Sequence, residues 1–296
     1  MDTQTNPLKE ASSLKTGLIM EGGAMRGMFT CGVIDVFMEN GITFDGAIGV
    51  SAGAVFGCNF KSGQIGRPLR YNKKYCRDPR YCSVRSLIRT GDLFGAQFCY
   101  HELPDVLDPF DSEAFLTNPM EFYIVATDVR TGKPVYHLCS DGRDCDIEWM
   151  RASASMPLVS RIVESEGIKL LDGGISDPLP YRYMENLGYD RNVMILTQPK
   201  GYYKRRFKLI TVIHTAYKQY PKLVEAMDKR HIVYNRQMAE IREREQRGKA
   251  IVIRPPEPLG IGHVSHDPFE LERVYRIGRT EAERRLPEVS CFLSHQ

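Results

Sequence analysis

The stretch Ala47-Ile48-Gly49-Val50-Ser51-Ala52-Gly53 is a short apolar run that ends in a serine set between glycines two positions before and two after, and a helix-compatible run to Lys61 follows. A strand that turns straight into a helix takes a strained corner. Small flanking residues relieve the crowding there and push the serine hydroxyl outward. The same punctuation recurs twice. Upstream, Leu18-Ile19-Met20 runs into Glu21-Gly22-Gly23-Ala24-Met25-Arg26-Gly27 and then a helical pattern; downstream, Leu170-Leu171 ends in Asp172-Gly173-Gly174. Short apolar runs alternating with helical periodicity mark βαβ units and a mostly parallel sheet, so the expected fold class is α/β.

Working outward, the expected strands are Thr16–Met20, Ala47–Val50, Glu121–Thr127, Val135–Cys139, Ile168–Leu171, Val193–Thr197 and Ala250–Ile253. Expected helices are Met28–Asn40 stopped by Gly41, Ala52–Lys61, Ile147–Ser155 ending before Pro157, Phe207–Tyr220, Leu223–Gln246, and a last one from the Asp267-Pro268 cap to about Arg285. Residues 62–119, with Gly, Pro and aromatics among basic residues, read as an inserted, partly helical cap. Nothing marks a clean linker. The chain 1–296 therefore reads as one domain, with a core over about 16–200 and a helix-rich extension over about 201–296.

Composition excludes several classes. At 296 residues, 42% hydrophobic and 26% charged, the chain is long enough to bury a core without disulfides or metals, and it is neither fibrous nor disordered in composition. Its longest apolar runs, such as Val193–Leu196, fall far short of the roughly 18 residues of a membrane span. Lys9, Glu10 and Lys15 occupy the place where a signal peptide needs an apolar segment, so the expected location is cytoplasmic. The eight cysteines show no CxxC spacing and are expected to be free thiols that fill core positions; no metal or organic cofactor is implied.

The three glycine turns carry the chemistry. Consecutive small residues at Gly22-Gly23-Ala24 leave backbone N–H groups bare at a helix entrance, where a negative charge is favoured. Neither GxGxxG nor GK[ST] is matched, so a dinucleotide or nucleotide loop is not supported, and a developing oxyanion beside Ser51 fits better. In a parallel sheet the carboxyl ends of strands converge on one edge, which would let Asp172 meet Ser51. Taken alone, Asp172-Gly173 would be an ordinary turn.

In order, spacing and context these motifs resemble the patatin-like phospholipases, and the resemblance covers about residues 16–200. It implies a three-layer α/β fold with a mostly parallel central sheet flanked by helices. It further implies lipid acyl hydrolysis by a Ser-Asp dyad, with Ser51 as nucleophile, Asp172 as base, and Gly22, Gly23, Ala24 and Arg26 matching the oxyanion-hole turn. Gly27, Gly49, Gly53, Gly173 and Gly174 match the remaining motif glycines. Ala24 departs from that family's usual third glycine and puts a methyl group into the turn. Arg151–Pro157 also looks like the family's helix before the aspartate strand.

Two other readings compete. A Ser-His-Asp esterase would draw on His214, His231, His263 or His266, all later than Asp172 in the chain. A non-catalytic lipid-binding protein could keep the fold, although binding gives no chemical reason to keep both Ser51 and Asp172. Arg26 is expected to brace its turn rather than act through its charge.

Charge is unevenly spread. Residues 61–90 hold nine Lys/Arg against one acid, and residues 204–249 hold thirteen against five, a net of +8 in each, within a chain of net +3. Either these are solvated faces balanced in three dimensions or they meet an anionic partner. With Tyr71, Tyr75 and Tyr81 interleaved among its basic residues, the first segment suits peripheral contact with an anionic membrane at the inner surface. The acyl-transfer motifs rank a lipid or acyl ester ahead of nucleic acid, which is not expected as a partner.

Overall fold

A computed structural model describes residues 14–294. The amino-terminal stretch read above for a leader lies, up to Ser13, outside them. Eight strands form one sheet: β1 (Thr16–Met20), β2 (Gly46–Val50), β3 (Glu121–Asp128), β4 (Pro134–Leu138), β5 (Val163–Ser165), β6 (Ile168–Asp172), β7 (Arg191–Ile195) and β8 (Ala250–Ile253). The hydrogen-bonded order is β5-β6-β3-β2-β1-β7-β8, with β4 also on β3. Strands β3, β2, β1, β7 and β8 are parallel to one another, while β4 and β6 run antiparallel to β3, and β5 antiparallel to β6.

The parallel strands are apolar on both faces, as a covered parallel sheet requires. Alternation along β1 sends Leu18 and Met20 into one core and Ile19 into the other. On the Leu18 face lie α1 (Met28–Glu39) and α2 (Ala52–Lys61), then the cap helices α3 (Arg67–Tyr75), α4 (Val84–Thr90) and α5 (Ser112–Thr117), with a π-helical stretch at Phe98–Leu107. Next come α6 (Asp144–Ser153) on that face, α7 (Tyr181–Asn186) on the Ile19 face, α8 (Ile210–Ala216), α9 (Pro221–Gln246), also on the Ile19 face, and α10 (Pro268–Ser294). The expected α/β, three-layer, mostly parallel architecture with a helix-rich C-terminal third is what the chain adopts.

Four local expectations need correction. The strand β5 has no apolar run to announce it; it pairs with β6 through Glu166-Gly167, both at positive φ (50° and 76°), which suits a tight hairpin. Helix α8 is shorter than Phe207–Tyr220, because Pro221 opens the next helix. The strand expected to reach Thr197 stops at Ile195. Helix α10 does not stop near Arg285 but passes through Pro287 to Ser294, with Val289 fully buried. A proline inside a helix costs a backbone bond. Here tertiary burial outweighs it: α10 crosses α1 so closely that a Cβ on Gly278 would lie 2.1 Å from the Phe29 carbonyl oxygen.

Candidate active site

Register explains how Ser51 and Asp172 meet. Tyr123–Val125 pair with both β2 and β4, so those strands occupy opposite edges of β3; Ala126 and Thr127 pair with both β4 and β6. Strands β2 and β6 therefore share one edge of β3, end to end. Val50 faces Val125 and Asp172 faces the next residue, Ala126. The convergence expected of parallel strand ends is instead a head-on approach by an antiparallel strand.

Ser51 sits at φ 56° and ψ −123°, a conformation that costs a non-glycine residue of order 1–3 kcal/mol and persists only when its surroundings fix it. They do so here. The Ser51 N–H donates to Ser153 Oγ at 2.8 Å, and Ser153, fully buried on α6, donates onward to the Val125 carbonyl at 2.6 Å. Its carbonyl takes the first bonds of α2, from Ala54 and Val55. Close approach fixes the glycines: a Cβ on Gly22 would lie 2.8 Å from Ser51 Cβ, and one on Gly53 would lie 2.2 Å from the Met20 carbonyl oxygen. Gly49 backs onto Ala54, Gly27 onto Phe56, and Gly173 onto the Val125 carbonyl.

Asp172 is 2% exposed. Its Oδ1 accepts from the Gly174 N–H at 2.7 Å, and the Ser51 side chain is near enough to favour the charged carboxylate. Burial raises its pKa above the usual aspartate value, opposed by Arg230, the Ser51 hydroxyl and the Gly174 N–H. Across from it, Gly22-Gly23-Ala24 opens a 3-10 turn, and among the described residues no protein acceptor meets their N–H groups. Ala24 lies at φ 49°, a left-handed conformation that glycine takes without strain. Arg26 makes no side-chain hydrogen bond among the described residues, and its Nε is buried without a partner. The bracing role expected for Arg26 is not what the fold gives it.

These groups open into a cavity of about 440 Å³. Its lining includes Tyr71, Tyr81, Phe94, Tyr100, Leu103 and Phe110 from the cap, and Arg26, Lys204, Arg230 and His263 beside Ser51 and Asp172. Sequence reasoning placed the cap over the site but gave its tyrosines the wrong role. Tyr71, Tyr75 and Tyr81 are at most 8% exposed and belong to the core, so they are not a membrane-facing surface. Four of the nine Lys/Arg in residues 61–90 are ion-paired: Arg67 and Arg70 with Asp108, Lys73 with Glu272, and Arg80 with Asp78 and Glu102.

Of the histidines weighed as a third catalytic member, none hydrogen-bonds Ser51 or Asp172 among the described residues; His266 Nδ1 instead meets the Cys76 carbonyl. Burial pushes the Cys58 and Cys82 thiols up to about 12, away from the thiolate that nucleophilic chemistry needs. His137, Cys139 and Asp146 bring one potential ligand atom each within 4.8 Å of one another, away from the pocket lining. There the Asp146 carboxylate is already engaged by His137 and by the N–H groups of Ser140, Asp141 and Gly142. Sequence reasoning missed Ser153, Lys204 and Arg230. For Ser153 the available signal was the Arg151–Pro157 stretch; for the two cations it was only the charge excess of their segment.

Residues 18–184 match the family described as patatin-like phospholipase, and residues 220–294 match a domain of unknown function, DUF6363. The chain is 30% identical over 195 residues to the uncharacterized protein YjjU of Escherichia coli, covering 64% of this chain and 54% of that one. It is 31% identical over 182 residues to lysophospholipase nte1 of Aspergillus terreus, covering 59% of this chain and 11% of that one. An uncharacterized NTE family protein of Mycobacterium tuberculosis is 28% identical over 188 residues, which is 64% of this chain and 50% of the relative. The chain spans about half the length of the first curated relatives it matches. Among solved structures, VipD from Legionella pneumophila superposes with a TM-score of 0.47 at 12% identity, over 93% of this chain and 67% of that one.

Proposed function

The chain belongs to the patatin-like phospholipase family, and we propose that it is a serine lipid acyl hydrolase that cleaves carboxylic esters through Ser51 and Asp172 by way of an acyl-enzyme. The observation that carries this reading is the strand register that brings buried Asp172 next to Ser51, opposite three N–H groups that have no protein acceptor among the described residues.

Ser51 Oγ attacks the ester carbonyl and gives its proton to Asp172. The carbonyl oxygen becomes an oxyanion that accepts from the backbone N–H groups of Gly22, Gly23 and Ala24, each donor being worth about 3 kcal/mol where such holes have been dissected. Collapse expels the alcohol, which takes the proton from Asp172. Water, deprotonated by the same carboxylate, then attacks the acyl group on Ser51, and Asp172 returns that proton to Ser51 Oγ as the acyl–oxygen bond breaks and the carboxylic acid leaves. A base with a raised pKa takes the hydroxyl proton with less of an uphill transfer, and burial supplies that rise at Asp172. Activity accordingly falls as pH drops through the raised pKa of this group.

No helix among the described residues is long and apolar enough to cross a membrane. Peripheral contact with an anionic membrane falls to α4, where Val84 and Ile88, 66% and 80% exposed and one turn apart, stand beside the exposed Arg85 and Arg89. Sedimentation with anionic vesicles should carry the protein down and lose the double variant Val84→Ser/Ile88→Ser; equal recovery of both would exclude that face.

The central test is labelling with an acyl-like fluorophosphonate, followed by peptide mapping. Label is expected on Ser51 in the wild type and strongly reduced in Asp172→Asn, whose kcat should fall by about a thousandfold or more. Folded wild type that takes no label at Ser51 and turns over no ester would overturn the reading.

A further inference from the structure

Arg26, Lys204 and Arg230 are half-buried, and cations partly withdrawn from water are favoured by an anionic partner. Arg26, Lys204 and Arg230 line the same cavity as Ser51, and among the described residues none of them makes an ion pair with a carboxylate. The nearby acids Glu21 and Asp172 act on these cations through charge but make no ion-pair contact with them: Glu21 accepts from the Thr197 N–H and hydroxyl and from the Tyr234 hydroxyl, and Asp172 accepts from the Gly174 N–H.

The two later cations are positioned by a built framework. Asn235 on α9 clamps the Lys204 backbone from both sides: its Oδ1 accepts from the Lys204 N–H and its Nδ2 donates to the Lys204 carbonyl, each at 2.9 Å. The Lys204 ammonium lies 4.4 Å from the ring centre of Tyr234, and Arg230 Nε donates to the Gly174 carbonyl at 2.6 Å. Helix α9 thus sets both cations beside the motif that carries Asp172.

We propose that Arg26, Lys204 and Arg230 form a phosphoryl-binding subsite that seats the phosphate of an anionic acyl ester, with its acyl chain against the apolar cap wall and its carbonyl at Ser51. The substrate assignment rests on the esterase reading of Ser51 and Asp172. A phosphate monoester offers three terminal oxygens to three cations, whereas a carboxylate offers two, and guanidinium groups suit phosphoryl geometry. Burial first, then the Arg230 and Arg26 charges, push Lys204 down to about 8 against the opposing pull of Glu21 and Asp172, and a bound anion would favour its charged form.

The test is calorimetric binding of a short ether-linked alkyl glycerol phosphate, below its micelle-forming concentration, beside the same alkyl glycerol without phosphate and inorganic phosphate alone. Ethers are not cleaved, so the measurement reads the subsite independently of turnover. Wild type should bind the ether phosphate about tenfold or more tighter than the neutral ether. Lys204→Met should lose that preference while keeping its affinity for the neutral ether, and Lys204→Arg should restore it. Lys204→Gln serves if the methionine variant does not fold.

Equal affinity for both ethers in the wild type, or a Lys204 variant that weakens both alike, would overturn the subsite. Inorganic phosphate binding as tightly as the ether phosphate would overturn its assignment to a lipid headgroup. Phosphate-selective binding by a wild type that labels no serine and hydrolyses no ester would support the subsite while refuting the esterase reading.

Discussion

Residues 61–90 and residues 204–249 carry the same net charge, +8, and flank the same cavity, yet the fold treats them in opposite ways. In the cap, Arg67 is 4% exposed, shares Asp108 with Arg70, and donates to Asn59. In the later segment several exposed cations are paired, such as Arg206 with Asp228 and Lys222 and Lys229 with Glu225, while Lys204 and Arg230, which line the cavity, are not. Charge summed along a chain measures composition. Where charge is left uncompensated depends on which acids the fold brings within reach, and that is what gives one wall an apolar character and the other an affinity for anions.

The sharpest way to break this comparison is to remove one cation from each wall. Arg67→Met should cost about 3 kcal/mol or more of stability, because it strands part of a buried polar network, and should leave substrate preference unchanged in the protein that remains folded. Denaturant unfolding measures the first effect. A near-neutral result would mean that the cap cation is dispensable and the two walls are alike.

Between the walls stands the elbow that both serve. Ser153→Ala removes the acceptor of the Ser51 N–H, and kcat should fall by about tenfold to a hundredfold with little change in KM, since strained geometry rather than binding is lost. A pure KM effect would place Ser153 in binding.

A smaller effect concerns the core behind the cap. Asp35 accepts from the Gly66 N–H and the Tyr275 hydroxyl, and burial raises its pKa to about 6. Its protonated form is favoured in the folded state, so the stability it contributes is fully present below about pH 4 and is lost as pH rises through about 6. Asp35→Asn should flatten that portion of the stability profile, a change on the order of 3 kcal/mol. An unchanged pH profile would show that Asp35 is not the group responsible.

The smallest effect is expected at His263 in the cavity lining. Loss of hydration, then Arg26, Arg230 and Lys204, lower the His263 pKa, and no hydrogen bond joins this residue to the dyad among the described residues. His263→Ala should therefore keep about a tenth or more of the activity. A collapse comparable to Asp172→Asn would replace the dyad with a triad.

What short-range physics controls is legible along the chain. Apolar runs broken by Gly22-Gly23, Gly49/Gly53 and Gly173-Gly174 specify strands entering tight turns, because only small residues allow backbones to approach as closely as Gly53 approaches Met20. From this the α/β class, most strands and the glycine-turn residues at the cavity, with Ser51 and Asp172, were readable. Only the tertiary structure decided that β6 meets β2 head-on along one edge of β3, that Ser153 holds the elbow from another helix, that the cap tyrosines turn inward, and that Asn235 fixes Lys204 beside Asp172. Each of these joins segments dozens of residues apart through one or two polar contacts or a strand register. Such contacts leave no periodicity in the chain, and their energies are set by burial, which exists only once the sheet and helices have closed around them.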